Sequence, residues 1–401
     1  MVNFHINANT MSKTVLVTLL VFLGACGGGG GASNGGNAQT ATGVFKDANV
    51  EGLSFRSGGQ SGVTGPGGAF TYEVGQPVSF SVGGAVIGSA TGQAVITPLD
   101  LVTGSTTNTA RVQNIVRFLV MLDTDNNPAN GIGISSAVRS AAASWAVNFD
   151  AADLATELAL IVAAASTADG TTHTLPTAAA AQSHLESTLL CARSGAFRGT
   201  FAGTDNGPFG IMIDAATGVA SGVAFSTKNR ARLTLTGATA VSFDQSATFV
   251  TGDTSTRATF SGQFKGTDQV SGTWENTRFA ESGTFSGNRI GSAADAVNRF
   301  TARVSGDAAG LFTFDVSATG AVTGIAYSIR SIVPDLVVTD EEATSGTLSG
   351  TTLTAMTIES TSGNATTING TLNTSTGGLT GTWVDLNGHS GTFSGSGCRL
   401  N

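Results

Sequence analysis

Charge is what this chain has least of. Only 11% of its 401 residues are Asp, Glu, Lys or Arg, against about 25% in an ordinary soluble domain. Lysine is scarce, basic residues never cluster, and the net charge is −8. A nucleic-acid partner is therefore excluded, because neutralising phosphates takes grouped Lys and Arg. Histidine occurs four times and cysteine three times, which leaves few groups for general-base or thiol chemistry. No apolar run reaches the roughly 20 residues that cross a bilayer as a helix. The sequence has no phosphate loop, no dinucleotide fingerprint and no zinc-ligand spacing.

What the chain has in excess is glycine, 55 residues of 401, about twice the usual ~7%, together with Ser and Thr. Val, Ile, Leu and Phe recur in alternation, so this is not a disordered composition. It reads as short strands and tight turns with hydroxyl-rich outer faces.

One short stretch carries a location. Lys13 is followed by an apolar run, Val15 to Leu23, then by Leu23-Gly24-Ala25-Cys26 and five glycines, Gly27 to Gly31. This resembles the signal peptide and lipobox of bacterial lipoproteins, with Met11 as the better start. The resemblance implies that Cys26 becomes an acylated (palmitate-bearing) first residue whose partner is the lipid bilayer. Gly27, in place of Asp, implies sorting to the outer membrane, on a face the sequence leaves open. Several acyl chains anchor stably where one is marginal. An ordinary cleaved signal with a chance Cys is the alternative.

The expected architecture is mainly β with a small helical segment. Residues 1–26 are the signal and lipobox. Residues 27–42 form a Gly-rich tether with a reach of about 20 Å. Residues 43–104 form a β-sandwich-like module, in which Val78-Ser79-Phe80-Ser81-Val82 alternates with period 2. Its string Gly68-Ala69-Phe70-Thr71-Tyr72, Val78-Ser79-Phe80 and Thr97-Pro98-Leu99-Asp100 resembles the N-terminal module of an uncharacterised family of proteobacterial lipoproteins. The strand-turn part is similar to transthyretin-like sandwiches. Residues 105–193 switch to helical spacing: Val112, Ile115, Val116, Leu119 and Leu122; Leu154, Leu158, Ile161 and Val162; Ala181, Leu185 and Leu189. Ala137 to Val147, with Trp145, reads as a fourth helix.

Residues 194–401 return to strands and repeat. Thr217-Gly218-Val219-Ala220-Ser221-Gly222 matches Thr319-Gly320-Ala321-Val322-Thr323-Gly324 at an offset of 102. Ser271-Gly272-Thr273-Trp274 matches Thr380-Gly381-Thr382-Trp383 at an offset of 109. Two tandem antiparallel β-barrel or sandwich domains, 194–292 and 293–401, follow. Barrels are favoured because closure removes exposed edges. The Gly-x-Phe-x-Gly rhythm resembles the barrels of transferrin-binding-protein-like surface lipoproteins.

Candidate chemistry is sparse. Asp123, Asp125 and Asn127 have the alternate spacing that aims hard oxygens at one calcium ion. Pro128 and Ile134 stand where a calcium loop needs Gly and Glu, so a helix end followed by an Asx-rich turn is the competing reading. Cys191 and Cys398 flank the β repeats and form an even pair for a disulfide in an oxidising compartment, with two buried thiols as the alternative. No catalytic residue is assigned. The Gly-x-Ser-x-Gly match at Ser33 lies in the tether, away from any strand-to-helix turn. His184 reads as a surface imidazole and His389 as a solvated turn residue near Asp385. Asp340, Glu341 and Glu342 read as a solvated loop. Trp274 and Trp383, equivalent in the two repeats, read as core, with sugar stacking as the alternative. The function expected is a lipid-anchored envelope module for binding, adhesion or structure, without catalysis and with an unidentified protein or glycan ligand. The alternative is an accessory or hydrolytic protein acting on polysaccharide or peptide.

Overall fold

Strand alternation organises most of the chain. The computed structural model describes residues 38–293, 296–333, 336–358 and 365–400; Cys26 and the tether up to residue 37 lie outside them. Described residues from Gln39 onward belong to one compact unit, which is mainly β.

The N-terminal part holds two small sheets, besides a two-stranded parallel pairing of Val50–Glu51 with Ile132–Gly133. One has three strands, in the order Ala69–Glu73, Thr40–Phe45, Val95–Ile96; the other has four, in the order Gln60–Val63, Ser54–Ser57, Pro77–Val82, Ala85–Thr91. Inward residues of both meet edge to face, with the Phe45 and Phe80 rings 4.7 Å apart. Four helices follow: α1 (Ala110–Met121), α2 (Ser136–Ala141), α3 (Leu154–Asp169) and α4 (Ala178–Arg193). Ser135, Asp153 and Thr177 cap α2, α3 and α4 with side-chain oxygens, as orphan amides at helix starts require. Phe118, Leu119, Leu158 and Ile161 share one core with Phe45 and Phe80, so the helices complete the sheets' apolar side. Val112 and Val116 of α1 pack on Ala181, Leu185 and Leu189 of α4.

The helix expected over Ala137 to Val147 is shorter than its pattern. α2 stops at Ala141, a 3-10 turn covers Ala142–Ser144, and Trp145 turns extended. The turn backbone at Gly84 takes the Ala142 carbonyl instead, and the extended geometry lets the Trp145 ring enter the core.

From Gly195 the chain forms two closed eight-stranded barrels, each an up-and-down antiparallel meander. In the first, Gly195–Gly203 pairs with both Gly207–Ile213 and Glu281–Ile290. In the second, Ala296–Gly306 pairs with both Gly310–Ser317 and Ser390–Arg399. Closure leaves no free edge on either. The two repeat offsets are explained by one hairpin. Its last first-barrel pair is Ser226 with Ala231; the equivalent second-barrel pair is Ser328 with Asp340. Beyond it the second barrel carries residues 329–339 where the first has 227–230, and this supplies the seven-residue shift. Asp340, Glu341 and Glu342 therefore lie in the strand Leu336–Ser349. The solvated-loop expectation is corrected: the hairpin is longer than the turn residues around it suggested, and β pairing continues through the acidic run.

A third apolar cluster seals the seam between barrels: Ala196, Met212, Val223, Phe225, Ile290, Leu311, Tyr327 and Ile329. These are the outward partners of the inward residues, which is why strands near the seam read apolar on both faces. Buried arginines finish the junctions. Arg299 forks onto Asp315 at 2.9 and 3.0 Å. Arg289 donates to Ala192 and Ser194 carbonyls at the end of α4.

Candidate functional site

The calcium candidate folds as a turn. Asp123 is buried at the end of α1 and accepts from the Gly133 amide at 3.0 Å. Asp125 accepts from the Asn127 amide at 2.9 Å and from Asn130 Nδ2 at 2.8 Å. Burial raises the Asp123 pKa, whereas the Asn130 hydrogen bond lowers that of Asp125. Asn127 is exposed. Asp123 Oδ1 and both Asp125 oxygens are directed to closing the chain on itself, while Asp123 Oδ2 is buried without a hydrogen-bond partner. Among the described residues, no group of three or more His, Cys, Asp or Glu side chains is placed to hold a metal ion.

Cys191 and Cys398 are joined by a disulfide, with Cα atoms 5.6 Å apart and a sequence separation of 207. It links the last turn of α4 to the final strand of the second barrel. His184, expected at the surface, is only 15% exposed and faces the fully buried Asp47 at 3.3 Å. The pair stands at ion-pair distance, off hydrogen-bond alignment. Burial pushes the His184 imidazole down, but the Asp47 carboxylate outweighs it and holds its pKa above the ordinary value. The surface expectation failed because α4 is covered on this face by the segment after Phe45. His389 does sit in an exposed turn, its Nδ1 2.9 Å from Asp385 Oδ2. Asp385 also accepts the Asn387 and His389 amides, so the pair is built into the turn between the last two strands.

Trp274 and Trp383 are buried, 4% and 8% exposed, so they do not form an exposed pair on the surface. Their indole N–H groups donate to Ala202 and Ser305 carbonyls at equivalent places. Both therefore serve as interior residues of their barrels.

The two interiors are not equivalent, and here a site emerges. The first barrel is filled by eight buried aromatic side chains: Phe197, Phe201, Phe209, Phe249, Phe260, Phe264, Trp274 and Phe285. The second has five: Phe300, Phe312, Phe314, Trp383 and Phe393. Strand register identifies the exchanges. Phe285 faces Phe201, but Phe393 faces Val304. Trp274 faces Phe260, but Trp383 faces Ile368. Ala224 faces Leu233, but Ala326 faces Glu342.

Where these smaller or polar residues stand, the second barrel has a cavity of about 560 Å³. Val304, Phe312, Ile368, Trp383 and Phe393 give it apolar walls. Glu342, Asp307, Asp385 and His389 stand at its polar side, and Phe225 and Arg232 reach it from the first barrel. The cavity lies toward the barrel end remote from Cys398, where the turn after Gly306 and the turn before Ser390 sit. Thr357 Oγ1 donates to Glu342 Oε2 at 2.9 Å, and the Ser390 amide donates to Asp307 at 2.8 Å. The corresponding end of the first barrel is closed by polar side chains. Lys228 pairs with Glu281 at 2.8 Å, Asn229 donates to Glu281 at 2.9 Å, and Ser226 donates to Asp205. His389 stands where Glu281 does, and the longer hairpin removes the turn that supplies Lys228.

Of these cavity residues, only Trp383 was raised as a ligand contact by the sequence, as the sugar-stacking alternative. The signal was present in the repeat: Leu233-x-Leu235 of the first copy becomes Glu342-x-Thr344 in the second. Reading it needs the register, because the two offsets change inside that hairpin.

No known protein-family model matches the chain, and no curated protein matches it. Among solved structures it is similar to the N-lobe domain of lactoferrin binding protein B of Moraxella bovis, at 8% identity and a TM-score of 0.19 over 39% of this chain and 81% of that one. It is also similar to a variant of transferrin binding protein B from Haemophilus parasuis Hp5, at 9% identity and a TM-score of 0.17 over 51% and 75%. A third is isotype 1 transferrin binding protein B from serogroup B Neisseria meningitidis, at 10% identity and a TM-score of 0.18 over 49% and 53%. Scores of this size carry no functional argument. Among the described residues no helix is long and apolar enough to cross a membrane.

Proposed function

We propose that this chain is an envelope protein held to the membrane by an acylated Cys26, with the residues between it and the strand Thr40–Phe45 as tether, and that it works by binding rather than by catalysis. The observation that supports this most is the second barrel's cavity. An eight-stranded barrel is just wide enough either to fill with side chains or to hold one small ligand. This chain has one barrel of each kind, built from the same repeat. Its cavity falls within the ~300–1,000 Å³ range of small-molecule sites, with apolar walls and a few convergent polar groups. Leaving aromatic volume out of a core is costly, about 3–5 kcal/mol for Phe to Ala and less for Phe to Ile or Val. An occupant offsets that cost in the second barrel, and none is needed in the first. The partner is thereby narrowed from any protein or glycan to one with a part that enters the barrel.

A hydrolytic reading has one observation in its favour, the His389–Asp385 pair at the cavity. That carboxylate also closes its own turn through two backbone amides, which favours a structural account.

The test is native mass spectrometry of the protein purified from cell envelopes. A bound small molecule at one per chain, missing from Ile368→Phe, is the expected result. The same spectrum for both proteins, without an adduct, overturns the binding reading. For the anchor, Cys26→Ser is expected to move the protein from the membrane to the soluble fraction. Protease shaving of intact cells then reads the face: release of peptides from residues 194–401 places the barrels outside.

A further inference from the structure

We propose that the turn after α1 is a calcium site, in which Asp123 and Asp125 supply carboxylates and Asn127 supplies a neutral oxygen. The site is separate from the cavity of the second barrel and does not depend on what binds there.

Among the described residues, the carboxylate and imidazole atoms that are buried without a hydrogen-bond partner belong to Asp47, His184 and Asp123. Asp47 and His184 stand 3.3 Å apart and answer each other as an ion pair. Asp123 stands in no such pair, and the His184 charge reaches it only from beyond ion-pair distance. It is 1% exposed; its Oδ1 takes the Gly133 amide and its Oδ2 takes nothing. What the Asp123 carboxylate faces is the Asn127 amide and the carboxylate of Asp125, the latter within hydrogen-bonding reach. Two carboxylates this close repel each other unless a proton or a cation lies between them.

The place favours the cation. Asp123 follows the C-terminal end of α1, where the helix dipole is negative and attracts positive charge. No Lys or Arg lies in the last turn of α1; His173 meets the Met121 carbonyl there and is itself held by Asp169. The Asp125 oxygens accept the Asn127 amide and Asn130 Nδ2. A carboxylate has about four acceptor sites, so the bonds that shape the turn leave room for a metal. Calcium takes about 6–8 oxygens, drawn from carboxylates, amide carbonyls and water. Two carboxylates and the exposed Asn127 provide the protein's share and water the rest, so a third acidic or imidazole side chain is not required. So few charged ligands put the site in the weak class, with a Kd of about 10⁻⁴–10⁻³ M. The turn leads into Ile132–Gly133, which pairs with Val50–Glu51, so a bound ion would tie α1 to the N-terminal strands.

The experiment uses the full chain carrying Cys26→Ser, freed of metal with EGTA, and calcium chloride or magnesium chloride at equal ionic strength. Isothermal titration reads stoichiometry and affinity, and thermal melting reads the effect on the fold. One calcium per chain is expected. Magnesium should bind at least about tenfold more weakly, because it demands a rigid octahedral shell and gives up water reluctantly. The melting temperature should rise with calcium, as mass action requires of a ligand that binds the folded state. Asp125→Asn is expected to weaken calcium at least about tenfold, the size of one charge-assisted contact, and Asp123→Asn to abolish the melting shift. Asp125 is exposed, so its variant carries the test if Asp123→Asn does not fold. The assignment fails if neither titration nor melting responds to calcium, or if magnesium binds as tightly. It fails too if folded Asp125→Asn binds calcium as before, which would put the ion elsewhere. Melting that ignores calcium but rises in Asp125→Asn would mean that the like-charge contact is answered without a metal, and also overturns it.

Discussion

Ile368 faces Trp383 across a strand pair in the second barrel, in the place where Phe260 faces Trp274 in the first. One repeat position thus holds a ring in the barrel that is filled and a branched aliphatic in the barrel that is open. The consequences of substitution should be opposite in sign. Phe260→Ala is expected to destabilise the chain by about 3–5 kcal/mol, because it leaves a void among packed rings. Ile368→Phe is expected to be neutral or to stabilise by about 0.5–2 kcal/mol, as cavity-filling changes commonly do. Denaturant unfolding followed by tryptophan fluorescence compares them. Equal destabilisation by both would mean that the second interior is as tightly packed as the first.

The disulfide is expected to act on the unfolded chain more than on either barrel. Cys191 and Cys398 close a loop that contains both barrels, so cross-linking removes much loop-closure entropy from the unfolded state. Cys398→Ser should cost about 2–5 kcal/mol and lower the melting temperature. The Trp274 and Trp383 environments of the folded protein should remain the same, as read by near-ultraviolet circular dichroism.

His184 gives the fold a pH dependence whose sign can be worked out. Its folded pKa is raised, since attraction to Asp47 outweighs burial. A group raised in the folded state stabilises fully below its ordinary pKa of about 6.5 and loses that contribution as pH rises through the folded value. Unfolding midpoints in urea should therefore fall on going from pH 6 toward pH 8 and beyond. Above that window Asp47 is left buried beside a neutral imidazole, the costly state of a broken buried pair. His184→Ala should be destabilised at pH 6 by about 3–5 kcal/mol and should show a flatter profile. An unchanged profile in that variant would assign the dependence to other groups.

The seam between barrels depends on a missing side chain. Gly210 lets the Tyr327 ring lie against the first barrel, where an added Cβ would stand 2.5 Å from Tyr327 Cε1. Tyr327 Oη reaches the Phe209 carbonyl at 3.3 Å. Gly210→Ala is expected to cost about 1–3 kcal/mol, as overpacking does. Small-angle scattering should show the barrels moving apart, while Gly210→Ala combined with Tyr327→Ala should relieve part of the loss.

The duplication was legible because Gly-x-Phe-x-Gly spacing survives wherever inward aromatics and outward hydroxyls alternate. The barrel closure expected from it is what the fold has. α1, α3 and α4 were legible for the same reason, since Val112, Leu158 and Leu185 recur at helical spacing. Asp123 was ambiguous, because the spacing that serves a calcium loop also serves an Asx turn, and the turn shows only in the Gly133, Asn127 and Asn130 hydrogen bonds. His184 was misleading, because nothing near it in sequence announces that Asp47 will cover it.

The sequence by itself determined the strand and helix periods, the two repeats, their glycine-punctuated turns and the absence of basic clusters. These are local properties, set by which face each residue presents and by which backbone angles it tolerates. Tertiary structure alone decided the pairing of Phe393 with Val304, of Trp383 with Ile368 and of Ala326 with Glu342. The residues in each of those pairs lie from 15 to 89 positions apart in the chain and meet only through register around a closed barrel. A cavity is a property of such meetings. The same valine, isoleucine and glutamate, read along the chain, are unremarkable members of strands.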